Sequence, residues 1–328
     1  MAASKSWQPE LHLARFLAAR SALNDRLCVA LSGGRDSVAL LHAAARLGQL
    51  RELRALHVHH GLSPNADQWA DFCAELCAAL GVALTVARVD VERHSADGLE
   101  AAARRARYAA FAQCEADGLL LAHHQDDQAE TVLFNLLRGS GVAGAAGMAP
   151  ERRHGGLRLM RPWLDLPAAA IADYARANDL RWVEDESNAD QTLTRNYLRH
   201  SVMAAVRGRF DGAAALAGAA AHFREADLLL AQLAELDWRG CCDGESARMS
   251  ALRQLDPARL KNLLRWRLRQ LGWRVPGAGR LEEFVRQLLQ AGPDRHPAMD
   301  LPDGGMVVRQ RALHWLPRDP GANPEGGA

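Results

Sequence analysis

Arg26-Leu27-Cys28-Val29-Ala30-Leu31, then Ser32-Gly33-Gly34-Arg35-Asp36-Ser37, then Val38-Ala39-Leu40-Leu41-His42: this continuous run decides how the chain reads. The first block is a short apolar run of strand character. The second is a polar turn with two glycines. The third begins a helix-like apolar pattern. Strand, glycine turn and helix start together aim backbone N–H groups and the positive end of a helix dipole at an anion. Glycine lets the backbone approach a phosphate with no Cβ in the way. Ser32 and Ser37 supply hydroxyl donors, and Asp36 is placed to hold the magnesium that a polyphosphate brings. No Gly-Lys-Ser/Thr closes the turn, so it is not the P-loop of kinases and GTPases.

Outward from this turn, strand-like and helix-like segments alternate. Residues 53–58 read as a second strand and 66–80 as a helix. Residues 82–89 read as a third strand and 97–116 as a helix. Residues 118–122 read as a fourth strand, with 126–138 as its helix. Such alternation predicts an α/β fold with a doubly wound, mostly parallel sheet, which residues 157–163 and 168–182 complete. Ligands of such sheets sit at the carboxyl ends of the strands. The polar clusters 32–37, 59–60 and 123–127 all fall there.

Near residue 207 the texture changes. The expected organisation is a catalytic domain over 1–205, a linking helix in 206–240, a smaller and mainly helical domain over 241–318, and a disordered Pro/Gly-rich tail at 319–328. Residues 257–271 and 280–290 read as helices, the first with Asp256 as N-cap and Pro257 at its first position. Residues 298–301 and 305–316 read as short strands around a turn at Asp303-Gly304-Gly305.

The 328 residues carry a net charge of +1, which excludes little by itself. Its distribution is more informative. Residues 1–205 hold 22 basic and 24 acidic side chains, whereas residues 248–318 hold 14 basic and 6 acidic. That imbalance points the C-terminal part at an anionic partner, nucleic acid first, with a solvated basic face as the competing reading. Lys261, Arg265 and Arg269 are spaced to form one stripe on the 257–271 helix. Six cysteines contain no Cys-x-x-Cys, and adjacent Cys241-Cys242 is no zinc framework. Reduced thiols and a cytoplasmic location are the expectation, since residues 11–22 are too punctuated by charge for a signal peptide and no apolar run reaches membrane length.

Ser-Gly-Gly-x-Asp-Ser at the end of a first strand resembles the PP-loop of the N-type ATP pyrophosphatases. Further segments match one branch of that superfamily: His57-Val58-His59-His60-Gly61-Leu62, Leu99-Glu100 with Arg104-Arg105-Ala106-Arg107-Tyr108, and Ala122-His123-His124-Gln125-Asp126-Asp127-Gln128-Ala129-Glu130-Thr131. Leu137-Arg138-Gly139-Ser140-Gly141, Arg161-Pro162, Glu184-Asp185-Glu186-Ser187-Asn188 and Thr194-Arg195-Asn196-Tyr197-Leu198-Arg199 complete the series. In order and spacing this set resembles the tRNA(Ile)-lysidine synthetases over about residues 25 to 205. The C-terminal part resembles that family's helical substrate-binding domain more loosely. Longer relatives carry a further C-terminal domain without a counterpart in this sequence, so some of their tRNA contacts do not carry over.

The resemblance implies ATP and Mg2+ as cofactors, and an isoleucine tRNA with a CAU anticodon and free L-lysine as partners. ATP adenylates the C2 oxygen of the wobble cytidine, pyrophosphate leaves, and the lysine side-chain amine then displaces AMP at C2. The anticodon reads AUA afterwards instead of AUG. Oligomeric state is left open, a homodimer included.

Asp127 and Glu130 are three residues apart on one helix face and suit the second step, which must hold an alkylammonium ion and take its proton. The bland reading is that acids in a first helical turn merely complement the dipole. Arg104 and Arg107 share a face with Glu100 one turn earlier; they are candidates for phosphate or adenylate contacts, or else a surface Glu–Arg ladder. Arg195 matches the family's Arg-Asn motif, whose arginine the resemblance puts near the adenylated base. His59, His60 and His123 are candidate nucleotide contacts, or else satisfied polar residues at strand ends. The histidines 57, 59, 60, 123 and 124 have no zinc-ligand spacing. Two alternatives remain: another PP-loop tRNA modifier such as a 2-thiocytidine synthetase, or a catalytically silent nucleotide- or RNA-binding module.

Overall fold

The computed structural model describes residues 7–22, 25–48, 50–95, 98–186, 194–292 and 295–318. Asp97, Ser187, Asn188 and the tail 319–328 lie outside the described residues. The chain divides into two compact units, Met1–Arg224 and Glu225–Ala328. The division falls inside one long helix.

The first unit begins with α1 (Pro9–Ala18), β1 (Arg26–Ala30), α2 (Arg35–Arg46), β2 (Glu52–His59), α3 (Ala66–Leu80) and β3 (Ala83–Arg88). It continues with α4 (Leu99–Ala112), β4 (Gly118–Leu120), α5 (Gln125–Leu137), α6 (Val142–Ala145), β5 (Glu151–His154), β6 (Leu157–Met160) and α7 (Ala168–Ala177). The sheet order is β3-β2-β1-β4-β6-β5, parallel throughout except for antiparallel β5 at the edge. Alternation along β1 shows why both faces are covered. Leu27 and Val29 join a cluster with Leu13 and Leu17 of α1, Leu40 and Leu41 of α2, Cys73 and Cys77 of α3, and Ile171 of α7. Cys28, between them, joins Leu56, Phe111, Leu119 and Leu159 on the opposite face.

The sequence reading captured β1–β4 and α2–α5 as elements, with α3 matching end to end. Helix α4 is shorter at its C-terminus than expected, since Cys114 N–H bonds Phe111 O and turns the chain toward β4. Helix α1 and strand β5 were not read. The β5–β6 hairpin rests on Gly155-Gly156, Gly155 having a positive φ of 59°.

After the undescribed 187–193 come α8 (Thr194–Tyr197), a π-helical turn (Leu198–Val202), α9 (Met203–Arg207) and α10 (Gly212–Cys241), the long helix that crosses between units. The second unit adds β7 (Cys242–Asp243), β8 (Ser246–Arg248), α11 (Met249–Leu252), α12 (Pro257–Gln270), α13 (Ala278–Gln290), β9 (Ala298–Leu301), β10 (Gly304–Arg309) and β11 (Ala312–Pro317). Its five strands form an antiparallel sheet, β7-β8-β11-β10-β9. Its core joins Leu260, Leu264 and Leu268 of α12 to Leu281, Phe284 and Leu288 of α13 and to Met306 and Leu313 of the sheet. Asp256 caps α12 as expected, accepting from the N–H groups of Ala258 and Arg259 at 2.9 and 3.0 Å. Residues 305–316, read as one strand, are a hairpin. Gln310 and Arg311 both take positive φ, 50° and 64°. That tight turn ordinarily selects Asn and Gly, so Gln-Arg conceals it. Among the described residues no helix is long and apolar enough to cross a membrane.

Candidate active site

The turn after β1 is built as the sequence implied. Gly33 takes a φ of +89°, and a Cβ there would lie 2.8 Å from Val183 Cγ2, so only glycine fits. Val183 N–H donates to Gly33 O at 3.0 Å and ties the loop down. Ser37 Oγ donates to Gly34 O at 2.9 Å and accepts from Ser32 N–H at 3.2 Å; Ser32 Oγ stands 3.0 Å from it. Gly34 is the N-cap of α2, and no side chain caps it. The first N–H groups of α2 are therefore presented to an incoming anion.

Asp36 lies in the first turn of α2. Its Oδ1 pairs with Arg35 Nε at 2.8 Å and its Oδ2 with His124 Nε2 at 3.4 Å. Burial opposes its ionisation, but His124 and Arg35 outweigh burial and hold the carboxyl below its usual range. His124 is the N-cap of α5. It accepts from Asp127 N–H through Nδ1, while Asp127 Oδ2 accepts from His124 N–H at 3.0 Å. Burial disfavours charge on this imidazole, yet Asp36, Asp127 and Asp126 raise its pKa above the ordinary value. His124 thus bridges the phosphate turn and the acidic helix.

Asp127 and Glu130 do share a face of α5, and a cation already sits on them. Arg199, from the π-helical turn, gives Nε to Glu130 Oε1 at 2.7 Å and Nη2 to Glu130 Oε2 at 3.0 Å and Asp127 Oδ1 at 3.2 Å. The Glu130 side chain is only 7% exposed. Arg207 pairs with Asp126 at 2.7 Å. The motif containing Arg199 was visible in the sequence, but nothing in its spacing marked this contact.

The remaining candidates form a basic cluster. Arg107 of α4 is half-buried; burial, and then Arg104 and Arg195, push its pKa down. Arg195 Nε lies 3.5 Å from Glu100, so α8 approaches α4. Arg104 donates to Tyr108 OH at 3.1 Å and lies over that ring; Arg152 stacks there too. His123 is held well below its usual pKa by burial and by Arg161, Arg107 and Arg104, and its Nδ1 lacks a partner. His59 is engaged elsewhere, with Asp67 Oδ1 at 3.2 Å and Arg88 Nη1 at 3.3 Å. The neighbouring His60 faces the cluster instead, its Nδ1 buried and unpartnered and Arg107 among the groups that hold its pKa at about 4. Tyr108, Arg152 and Arg161 were not among the sequence candidates. The buried, unpartnered ring nitrogens of His60 and His123 and the buried Nε of Arg161 suit an acceptor-rich, anionic ligand.

In the second unit, the basic stripe is largely neutralised. Lys261 pairs with Glu282 at 2.8 Å, Arg269 with Asp227 at 3.2 Å, Arg259 with Asp237 and Arg267 with Glu245.

The chain matches known proteins over most of its length. Residues 8–206 match the family model of a PP-loop domain, and residues 248–314 that of a TilS substrate binding domain. A tRNA(Ile)-lysidine synthase of Aromatoleum aromaticum is 52% identical over 94% of this chain and 73% of its own length. One of Alkalilimnicola ehrlichii is 46% identical over 97% and 72%. Among solved structures, a U34-tRNA thiolase of Methanococcus maripaludis superposes with a TM-score of 0.54 at 16% identity, covering 66% of this chain and 78% of that one; it shares the fold.

Proposed function

This chain belongs to the tRNA(Ile)-lysidine synthase family, and from that membership we propose that it joins free L-lysine to C2 of the wobble cytidine of an isoleucine tRNA with a CAU anticodon, using ATP in two steps. One observation carries the reading. A continuous line of contacts runs from the phosphate turn through Asp36 and His124 to Asp127, and through Arg199 to Glu130. Polyphosphate binding and amine binding are thereby adjacent.

In the first step the N–H groups at the start of α2, with Ser32 and Ser37, bind the polyphosphate. Arg104 and Arg107 neutralise charge on the α-phosphate as the C2 oxygen attacks it and pyrophosphate leaves. The residues present fit a magnesium ion that arrives with ATP. Mg2+ needs only one or two carboxylates when phosphates and water complete its shell, and Asp36 supplies one hard oxygen donor beside the turn. When bound, that ion would screen charge on the departing pyrophosphate.

In the second step Asp127 and Glu130 hold the lysine ammonium, and one carboxylate takes its proton. The freed amine attacks C2, and the C2–oxygen bond to AMP breaks. Arg195 is assigned to the adenylated base, and residues 241–318 to the tRNA body. A sulfur-transferring alternative lacks support in the sequence, whose six cysteines contain no Cys-x-x-Cys.

The test is mass spectrometry of nucleosides from isoleucine tRNA after reaction with ATP and labelled lysine. Labelled lysidine is expected. Sulfur-dependent modification would replace this reading, and absence of turnover would point to a silent binding module. Asp127→Asn and Glu130→Gln should each slow lysine transfer by about 10²–10⁴ while adenylated tRNA accumulates.

A further inference from the structure

The helical segment that bears Arg195 and Arg199 has a second face. Asn196, Leu198 and Met203 are buried, Met203 in a cluster with Ala129 of α5. The side turned away from them lines an open groove of about 520 Å³, whose walls include Tyr197, Val202, Ala205, Val206, Arg209 and Phe210. Tyr197 is 52% and Phe210 67% exposed. Both rings are amphipathic or apolar faces of the kind that stack on a flat ligand.

The charged side chain that lines the groove is Arg209. Residues 194–210 contain four arginines and no aspartate or glutamate. Arg195, Arg199 and Arg207 are engaged with carboxylates of other elements. Arg209 makes no ion pair among the described residues. The five-residue π-helical turn widens the helix between the two rings, and such turns recur at functional positions.

We propose that this groove holds an unpaired nucleotide of the tRNA substrate next to the base being modified, its base stacked on Tyr197 or Phe210 and its phosphate on Arg209. The inference rests on the tRNA reading above and names the surface that would seat the loop. Aromatic faces and arginine planes are how proteins hold splayed, single-stranded RNA, because every base has a π-face and every nucleotide a phosphate. A neutral peptide would satisfy the apolar walls but would leave Arg209 without an anion. Arg199, which pairs with Asp127 and Glu130, lies on the same short helical segment, so on the reading above a nucleotide seated here adjoins the target cytidine.

The experiment uses the full chain and full-length isoleucine tRNA carrying 2-aminopurine at each unpaired anticodon-loop position in turn, the reacting cytidine excepted. At one position the wild type should quench fluorescence by stacking. Tyr197→Ala or Phe210→Ala should restore that signal, and the double variant should weaken tRNA binding by about 5–100-fold at fixed salt. Phe210→Trp should keep the quenching. ATP affinity and thermal unfolding should be unchanged in all of them. Variants that bind and react like the wild type would overturn the inference while leaving the lysine-ligase reading intact. So would variants that change only sedimentation, which would make the groove a contact between copies. Failure of the wild type to bind the tRNA at all would overturn both.

Discussion

Arg199 occupies the two carboxylates assigned to the substrate ammonium, and replacing it separates a cation site from a mere structural bridge. Arg199→Ala removes three charge-assisted contacts of 2.7, 3.0 and 3.2 Å. It leaves Glu130, whose side chain is 7% exposed, without its cation, whereas the Arg199 side chain is itself 37% exposed. Removing one partner of a buried pair costs about 3–5 kcal/mol, and the partial exposure of Arg199 puts this case at about 3. For a domain of this size that is a fall in Tm of about 6–12 °C. The vacated acids should then accept the lysine ammonium with no competitor. L-lysine at about one hundred times its Kd should return about 2.7 kcal/mol. Its apparent Kd should be about tenfold tighter than for the wild type, in which lysine must displace or share the guanidinium's acceptors. The assay is thermal unfolding over a lysine titration, with norleucine as a control of equal chain length and no terminal amine. The reasoning fails if Arg199→Ala melts like the wild type, or if norleucine protects it as well as lysine does.

Three further outcomes follow from the geometry. Asp36→Ala should cut ATP-dependent pyrophosphate release by about 10³-fold or more, the scale of losing a metal's charge stabilisation, with tRNA affinity retained in a filter-binding assay; normal release would remove Asp36 from the first step. His60 has a folded pKa of about 4, below the unfolded value of about 6.5, so the unfolded chain takes up the proton first and stability is lost as pH falls from 6.5 toward 4. His60→Gln should flatten that part of the denaturant-derived stability curve by about 1–2 kcal/mol, screening at a half-buried ring keeping it below full linkage; superimposable curves would contradict the assignment. On α12, Lys261 and Arg269 are already paired with acids, so Arg265→Glu alone should weaken tRNA binding and lower the slope of log K against log salt by about 0.7–0.9, one phosphate contact; an unchanged slope would make the stripe a solvated face.

What the sequence disclosed and what it withheld divide along a physical line. The α/β core was legible because short apolar runs of strand length alternate along the chain with longer helix-patterned segments. The phosphate turn was legible because Gly33 has a backbone conformation and a Val183 neighbour that exclude every side chain, so its chemistry is written in consecutive letters. The Gln310-Arg311 turn was not, because the hairpin holds it in a conformation those residues do not advertise. The same limit governs the site. Asp127 and Glu130 could be paired by helical spacing alone, since one element holds both. Arg199 could not be added to them, nor Arg152 to Tyr108 and Arg104 of α4. Each of those contacts joins elements separated by tens of residues, and chain separation carries no period. A charged side chain also reads alike in sequence whether it faces solvent or a buried acid. Arg269 and Arg265 lie one turn apart on α12 and looked equivalent. Only the fold, by setting Asp227 against one of them, separates the cation spent on internal pairing from the one left for a phosphate.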